Sequence, residues 1–146
     1  MIDKKHIGMK LPVYTAKAET GQLRFFAKSI GETDPIYIDE AAARDAGHPA
    51  LPLPPTFLFS LEFQIPSNAW RDELGIVTSR ILHGEETFNY HRMAYAGDTL
   101  QFETHIADIY DKKGGALSFV VRESKVSNQH GEHVADLRSV LVHKNA

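Results

Sequence analysis

Two carboxylates and a phenol lie within six positions of one another in the stretch Gly31-Glu32-Thr33-Asp34-Pro35-Ile36-Tyr37. On one loop, Glu32, Asp34 and Tyr37 could hold a reacting hydroxyl or water, with a carboxylate as base and the phenol as hydrogen-bond donor. The same residues also make an ordinary turn, in which Asp34 bonds backbone N–H groups ahead of Pro35. A second set, His83, Glu85, Thr87, Asn89 and His91, occupies alternate positions further along. If the stretch is one strand, alternation places all of them on one face. That stripe offers a His–carboxylate pair able to exchange protons near neutral pH, with His83 the better-placed imidazole. A solvent-facing strand surface would read identically, and Gly84 can break the parity at His83. The histidines carry neither a His-x-x-x-His spacing nor a carboxylate triad, so no metal site is expected.

The elements that must position these groups change character half-way along the chain. Leu23, Phe26, Ala27 and Ile30 recur at helical spacing, with Thr20 as cap and Gly31 as stop. A second short helix runs from Asp39 or Glu40 to Ala46, capped by Asp39 and stopped by Gly47. The prolines between Pro49 and Pro55 impose an extended approach to Thr56-Phe57-Leu58-Phe59-Ser60-Leu61-Glu62-Phe63. That segment reads as a helix from about Thr56 to Gln64, apolar on nearly every side and therefore buried on every side. Its aromatic run, Phe57, Phe59 and Phe63, reads as core.

Beyond Pro66 and a short amphipathic turn past Trp70 the pattern becomes extended: 81–92, 99–110, 116–127 and 133–143. Turns fall at Asp111-Lys112-Lys113-Gly114-Gly115 and Asn128-Gln129-His130-Gly131. Early helices, one central helix, then a meander wrapping it is the order of an α+β hotdog fold, with residues 1–146 forming one domain.

Composition narrows the functions. The net charge of −3 with scattered Lys and Arg argues against an electrostatic nucleic-acid binder. Cysteine is absent, which excludes disulfides, thiolate metal sites and a Cys nucleophile, and agrees with a cytoplasmic location. The polar start at Met1-Ile2-Asp3-Lys4-Lys5-His6 lacks the apolar core of a signal peptide. No apolar stretch approaches the ~20 residues a membrane span needs. No cofactor is expected.

The segment Phe26-Ala27-Lys28-Ser29-Ile30-Gly31-Glu32-Thr33-Asp34-Pro35-Ile36-Tyr37 resembles the hydratase motif of the MaoC-like family, roughly Y/F-A-x-x-x-G-D-x-N-P-x-H. Four further pieces fit in order: Ala46-Gly47-His48-Pro49; Pro54-Pro55-Thr56-Phe57; His83-Gly84-Glu85 followed by Tyr90-His91-Arg92; and Gly97-Asp98. Together they resemble the N-terminal subgroup related to the dehydratase region of yeast-type fatty acid synthases.

The resemblance implies a hotdog dimer acting on an acyl thioester of CoA or acyl carrier protein. The implied reaction is reversible loss of water from a 3-hydroxyacyl group to give the trans-2-enoyl thioester, in fatty acid metabolism. Glu32 and Tyr37, at the motif's Asp and His, are candidate catalytic residues by the resemblance, and His83, Glu85 and His91 of the polar stripe are candidates in place of the missing motif His. Asp34, Pro55, Thr56 and Phe57 are the candidate substrate-binding residues, with the helix start near Thr56 facing the thioester carbonyl. The chain departs from the motif at three positions: Glu32 matches its Asp, Asp34 its Asn and Tyr37 its His. A phenol with an ordinary pKa of about 10 cannot do an imidazole's work at neutral pH. Three functions follow: an (R)-specific 3-hydroxyacyl-thioester dehydratase or enoyl hydratase in a homodimer or heterodimer; an acyl-binding subunit paired with a MaoC-like chain that keeps the intact Asp and His; or a thioesterase using Glu32 or Glu85.

Overall fold

The computed structural model describes residues 1–145. Five antiparallel strands form one sheet: β1 (Tyr14–Lys17), β2 (Ile81–Tyr90), β3 (Thr99–Lys112), β4 (Leu117–Ser127) and β5 (His133–Lys144), in the order β1-β3-β4-β5-β2. Four short helices accompany it: α1 (Thr20–Ser29), α2 (Glu40–Asp45), α3 (Phe57–Glu62) and α4 (Ala69–Glu73). An antiparallel sheet holding a central helix is the expected α+β hotdog arrangement.

Each helix has local reasons to exist. α2 is capped by Asp39, whose Oδ1 accepts from the amides of Ala41 and Ala42 at 2.7 and 3.0 Å. α1 starts one residue earlier than its expected cap allows: Glu19 holds the cap position and Thr20 is already helical. It ends at Gly31, whose φ of 72° takes the left-handed turn that costs glycine nothing.

The strand β1 interrupts the expected helical first half. It is only four residues long and follows Pro12, too short for its alternation to register as a pattern. Tyr14 and Ala16 face inward while Thr15 and Lys17 face out, and the Tyr14 ring stacks on Phe102 of β3 at 5.0 Å.

 Burial of Ala16 beside Tyr14 ties this edge strand into the core.

Two clusters make up that core. Phe57, Leu58 and Leu61 of α3 and Leu23 of α1 pack on Leu100, Phe102, Val126, Ala135 and Leu137 of the sheet. Trp70 of α4 and Leu74, just past its end, cover Ile106, Ile109, Val120 and Leu141 at the other end. Burying one Phe, Leu or Val is worth about 1.5–3 kcal/mol, so truncating Phe57 to Ala should cost about 3–5 kcal/mol.

The central helix is shorter than the expected Thr56–Gln64 and is not buried all round. Phe63 is 68% exposed, Phe59 and Ser60 are half-buried, and the acidic Glu62 is inside instead. The helix leaves one flank open toward α1, while Phe59 packs on Phe63 and on His83 of β2.

A bulge in β2 corrects the expected polar stripe. His83 pairs with Leu141, but Glu85 pairs with the next residue, Val140, so the alternation slips at Gly84. His83, Glu86, Phe88 and Tyr90 therefore share the helix-facing side, and Glu85, Thr87 and Asn89 the opposite one. Only glycine fits at the slip, since a Cβ on Gly84 would lie 2.8 Å from the Val140 carbonyl oxygen.

Candidate functional site

The motif loop folds back on its own backbone. Glu32 Oε1 accepts from the amides of Thr33 and Asp34 at 2.8 and 2.9 Å, and Asp34 Oδ1 accepts from Ile36 at 3.1 Å. Both carboxylates thus serve the turn that precedes Tyr37. Burial first, then the nearby Glu32 and Asp34 carboxylates, push the Tyr37 phenol above its ordinary value. At neutral pH it is a hydrogen-bond donor, not a base.

Tyr37 opens onto a cleft of about 320 Å³ with Pro55, Tyr90, His91, Arg92 and Met93 around it and Leu53 at its side. Pro55, just before the start of α3, borders this cleft, but the backbone donors there are occupied. The Thr56 amide donates to the Tyr90 phenol oxygen at 2.9 Å, and the Phe57 amide donates to the Pro54 carbonyl at 3.1 Å. Thr56 itself sits at φ 73°, a left-handed conformation that is an outlier for a β-branched residue. Such strain costs on the order of 1–3 kcal/mol and clusters at functional sites.

The other candidate residues are dispersed. His83 packs its ring against Phe59 at 5.1 Å on the helix side. Glu85 points the other way and reaches Arg138 at 3.6 Å, with its side chain 69% exposed. The bulge separates the two, so they form no acid–base pair. His91 stands at the cleft but bonds Asp136 at 2.7 Å, and His133 bonds the other oxygen of the same carboxylate at 2.7 Å.

A groove of about 450 Å³ runs between α1 and α3, along the open flank of the central helix. Phe25, Phe26, Phe57 and Leu61 line it, with the polar Gln22, Ser60 and Gln64 at its edges. Phe26 and Phe57 meet edge to face at 5.2 Å, and Phe25 is 74% exposed. An apolar groove with a polar margin suits a hydrocarbon chain.

Sequence reasoning missed a buried acidic cluster below the other end of α3. Glu62 Oε1 accepts from the Ser124 hydroxyl at 3.2 Å, and its second oxygen lies 3.8 Å from an Arg122 guanidinium nitrogen. Burial raises the Glu62 carboxyl despite Arg122. Glu86, on the helix-facing side of β2 with Phe88, has both oxygens shielded without a hydrogen-bond partner. Burial, reinforced by Glu62, pushes its carboxyl up to about 7. Residue type hid this pair: Glu62 lies in an apolar helix, and Glu86 is an acid on the strand face that Phe88 and Tyr90 share.

The profile of the FAS1-like dehydratase domain region matches residues 5–137. The chain belongs to that family. A UPF0336 protein of Streptomyces coelicolor is 34% identical over 148 residues, covering 99% of this chain and 97% of its own. The C-terminally truncated HadBC (3R-hydroxyacyl-ACP dehydratase) complex of Mycobacterium tuberculosis superposes with a TM-score of 0.78 at 27% identity, covering 94% of this chain and 96% of its own. The R-hydratase PhaJ1 of Pseudomonas aeruginosa gives 0.71 at 19% identity, covering 96% and 83%, and shares the fold. The family and the neighbour at 27% identity support a dehydratase-type function. Among the described residues no helix is long and apolar enough to cross a membrane.

Proposed function

We propose that this chain is the acyl-binding half of a heterodimeric (R)-3-hydroxyacyl-thioester dehydratase, reversible as an enoyl hydratase, and that a second MaoC-like chain brings the catalytic carboxylate and imidazole. The observation that carries this reading is the state of the motif loop. Its carboxylates cap their own turn, and a protonated phenol stands at the position of the motif histidine. Elimination of water from a 3-hydroxyacyl thioester needs a base for the α-proton, a proton for the departing hydroxyl and donors for the carbonyl oxygen. Glu32 is engaged by two amides, and the first two amides at α3 are taken. The groove between α1 and α3 supplies what remains useful, a seat for the acyl chain of a CoA or acyl carrier protein thioester.

A two-chain assembly also answers the sheet's edges. β2 is a ten-residue edge strand with Leu82 and Tyr90 about half exposed, and exposed edges are normally covered, charged or paired. HadBC, the neighbour at 27% identity, is itself a complex.

A second reading keeps the chain active by itself, in a homodimer. It is favoured by Glu86, a carboxyl poised near neutrality on the same strand face as His83. The two readings separate by light scattering on the purified chain, alone and mixed with a family chain that carries the complete Asp and His motif. The heterodimer reading predicts a mass of one copy of each in the mixture. An unchanged homodimer that ignores the second chain would count against it.

A further inference from the structure

We propose that His91, His133 and Asp136 form a three-ligand site for a first-row divalent transition-metal ion of the zinc class. His91 directly follows β2 and His133 opens the neighbouring β5, so the antiparallel pairing brings together two imidazoles 42 positions apart in the sequence. The backbone fixes their spacing: the amides of His91 and Arg92 both donate to the Val134 carbonyl, at 2.8 and 3.1 Å. The two rings lie 4.3 Å apart, centroid to centroid, and each Nε2 is 2.7 Å from a different oxygen of Asp136.

One donor atom from each of the three residues lies within 4.8 Å of the others. Tetrahedral zinc at bond lengths of about 2.0–2.1 Å needs donors roughly 3.3 Å apart. The ends of three half-exposed side chains can close that gap by rotating, without backbone movement. Two imidazole nitrogens and one carboxylate oxygen select zinc, nickel, copper or iron(II) over magnesium and calcium, which prefer all-oxygen shells.

The metal-free arrangement is consistent with such a site. In the metal-free chain each Nε2 lies 2.7 Å from its own Asp136 oxygen, so the three groups already converge. Binding turns each Nε2 lone pair to the ion, any Nε2 proton moving to Nδ1 or to solvent, and the two hydrogen bonds to Asp136 give way to ligation by its carboxylate. Affinity therefore falls on acidification, as protons compete for the nitrogens.

The surrounding charges are mixed. Lys125 sits opposite Asp136 on β4, while the Arg92 guanidinium is engaged by Glu132 at 3.3 Å. Three protein ligands leave one position open, the pattern of a site that keeps an exchangeable water rather than a closed structural one. Since His91 also lines the cleft beside Tyr37, that position lies at the cleft's rim. The site does not depend on the acyl-binding reading, because its donors are present whatever the cleft holds.

The test is calorimetric titration of chelator-treated full-length chain with Zn²⁺ near neutral pH, paralleled by Co²⁺ absorption, which reports nitrogen ligation directly. One ion per chain is expected. His91→Ala, His133→Ala and Asp136→Asn should each weaken binding by at least about tenfold, with unchanged circular dichroism because all three side chains are exposed enough to replace. His105→Ala, at the separate His105–Glu123 pair on the outer sheet face, should change nothing. Absence of Zn²⁺ binding by the wild-type chain, or binding that persists undiminished when both His91 and His133 are Ala, would overturn the proposal. A Co²⁺ spectrum abolished by His105→Ala would do the same.

Discussion

The Tyr90 phenol oxygen accepts the Thr56 amide hydrogen at 2.9 Å, tying the last residue of β2 to the entry of the central helix. Thr56 is strained at φ 73° and has no side-chain cap of its own, so an edge strand supplies the polar partner that its amide needs. This bond occupies the backbone donor that a thioester carbonyl would otherwise meet. Tyr90→Phe should therefore destabilise the fold modestly, by about 1 kcal/mol for one hydrogen bond. It should also raise affinity for an acyl thioester by exposing the Thr56 amide. Urea midpoints and equilibrium dialysis with a trans-2-enoyl-CoA check the two halves separately, and an unchanged affinity would show that Thr56 N–H does not face the thioester.

Gly84 decides which face His83 shares. A Cβ there would press on the Val140 carbonyl at 2.8 Å and on Val142 Cγ2 at 3.0 Å. Gly84→Ala should cost about 1–3 kcal/mol, the usual range for overpacking, measured as a lower urea midpoint. Full stability in the variant would mean that the bulge yields easily.

Glu86 makes stability depend on pH in the direction opposite to a salt-bridged carboxylate. Its carboxyl is raised from an ordinary 4.5 to about 7, so the folded state favours the protonated form. That contribution is complete below about 4.5 and is lost as pH rises through about 7. The full shift is discounted for solvent screening because the side chain is only half-buried, leaving a loss of about 1–2 kcal/mol. Glu86→Gln removes this titration, so the variant should gain on the wild type above neutrality. Denaturation curves at several pH values would reveal parallel profiles if Glu86 were already ionised in the folded chain.

Much of the fold was legible because its signals are local. Asp39 and Gly47 bracket α2, the prolines before Thr56 announce the central helix, and glycine-rich turns separate the strands. What escaped depends on non-local pairing. β1 is too short to show a period, and Tyr14 is fixed by Phe102, far along the chain. The slip at Gly84 separated His83 from Glu85 and put His83 on the face of Glu86, Phe88 and Tyr90, which no alternation rule anticipates. His133 and Asp136 join His91 only through the β2–β5 register. At the cleft, Tyr37, Pro55, Thr56 and His91 do gather as neighbours, while Glu32 and Asp34 serve the loop beneath them.

The division of labour between two chains is tested most directly by turnover. Hydration of a trans-2-enoyl-CoA should be undetectable with this chain alone across several acyl lengths. It should appear on mixing with a MaoC-like chain that keeps the motif Asp and His. Within the active mixture, Tyr37→Phe and Glu32→Gln should leave turnover within a few-fold of the wild type, whereas removing the second chain's histidine should cost at least ~100-fold, the lower range for a general acid or base. Robust hydration by the purified chain alone, lost in Glu32→Gln or His83→Ala, would contradict the account and return the chemistry to this subunit.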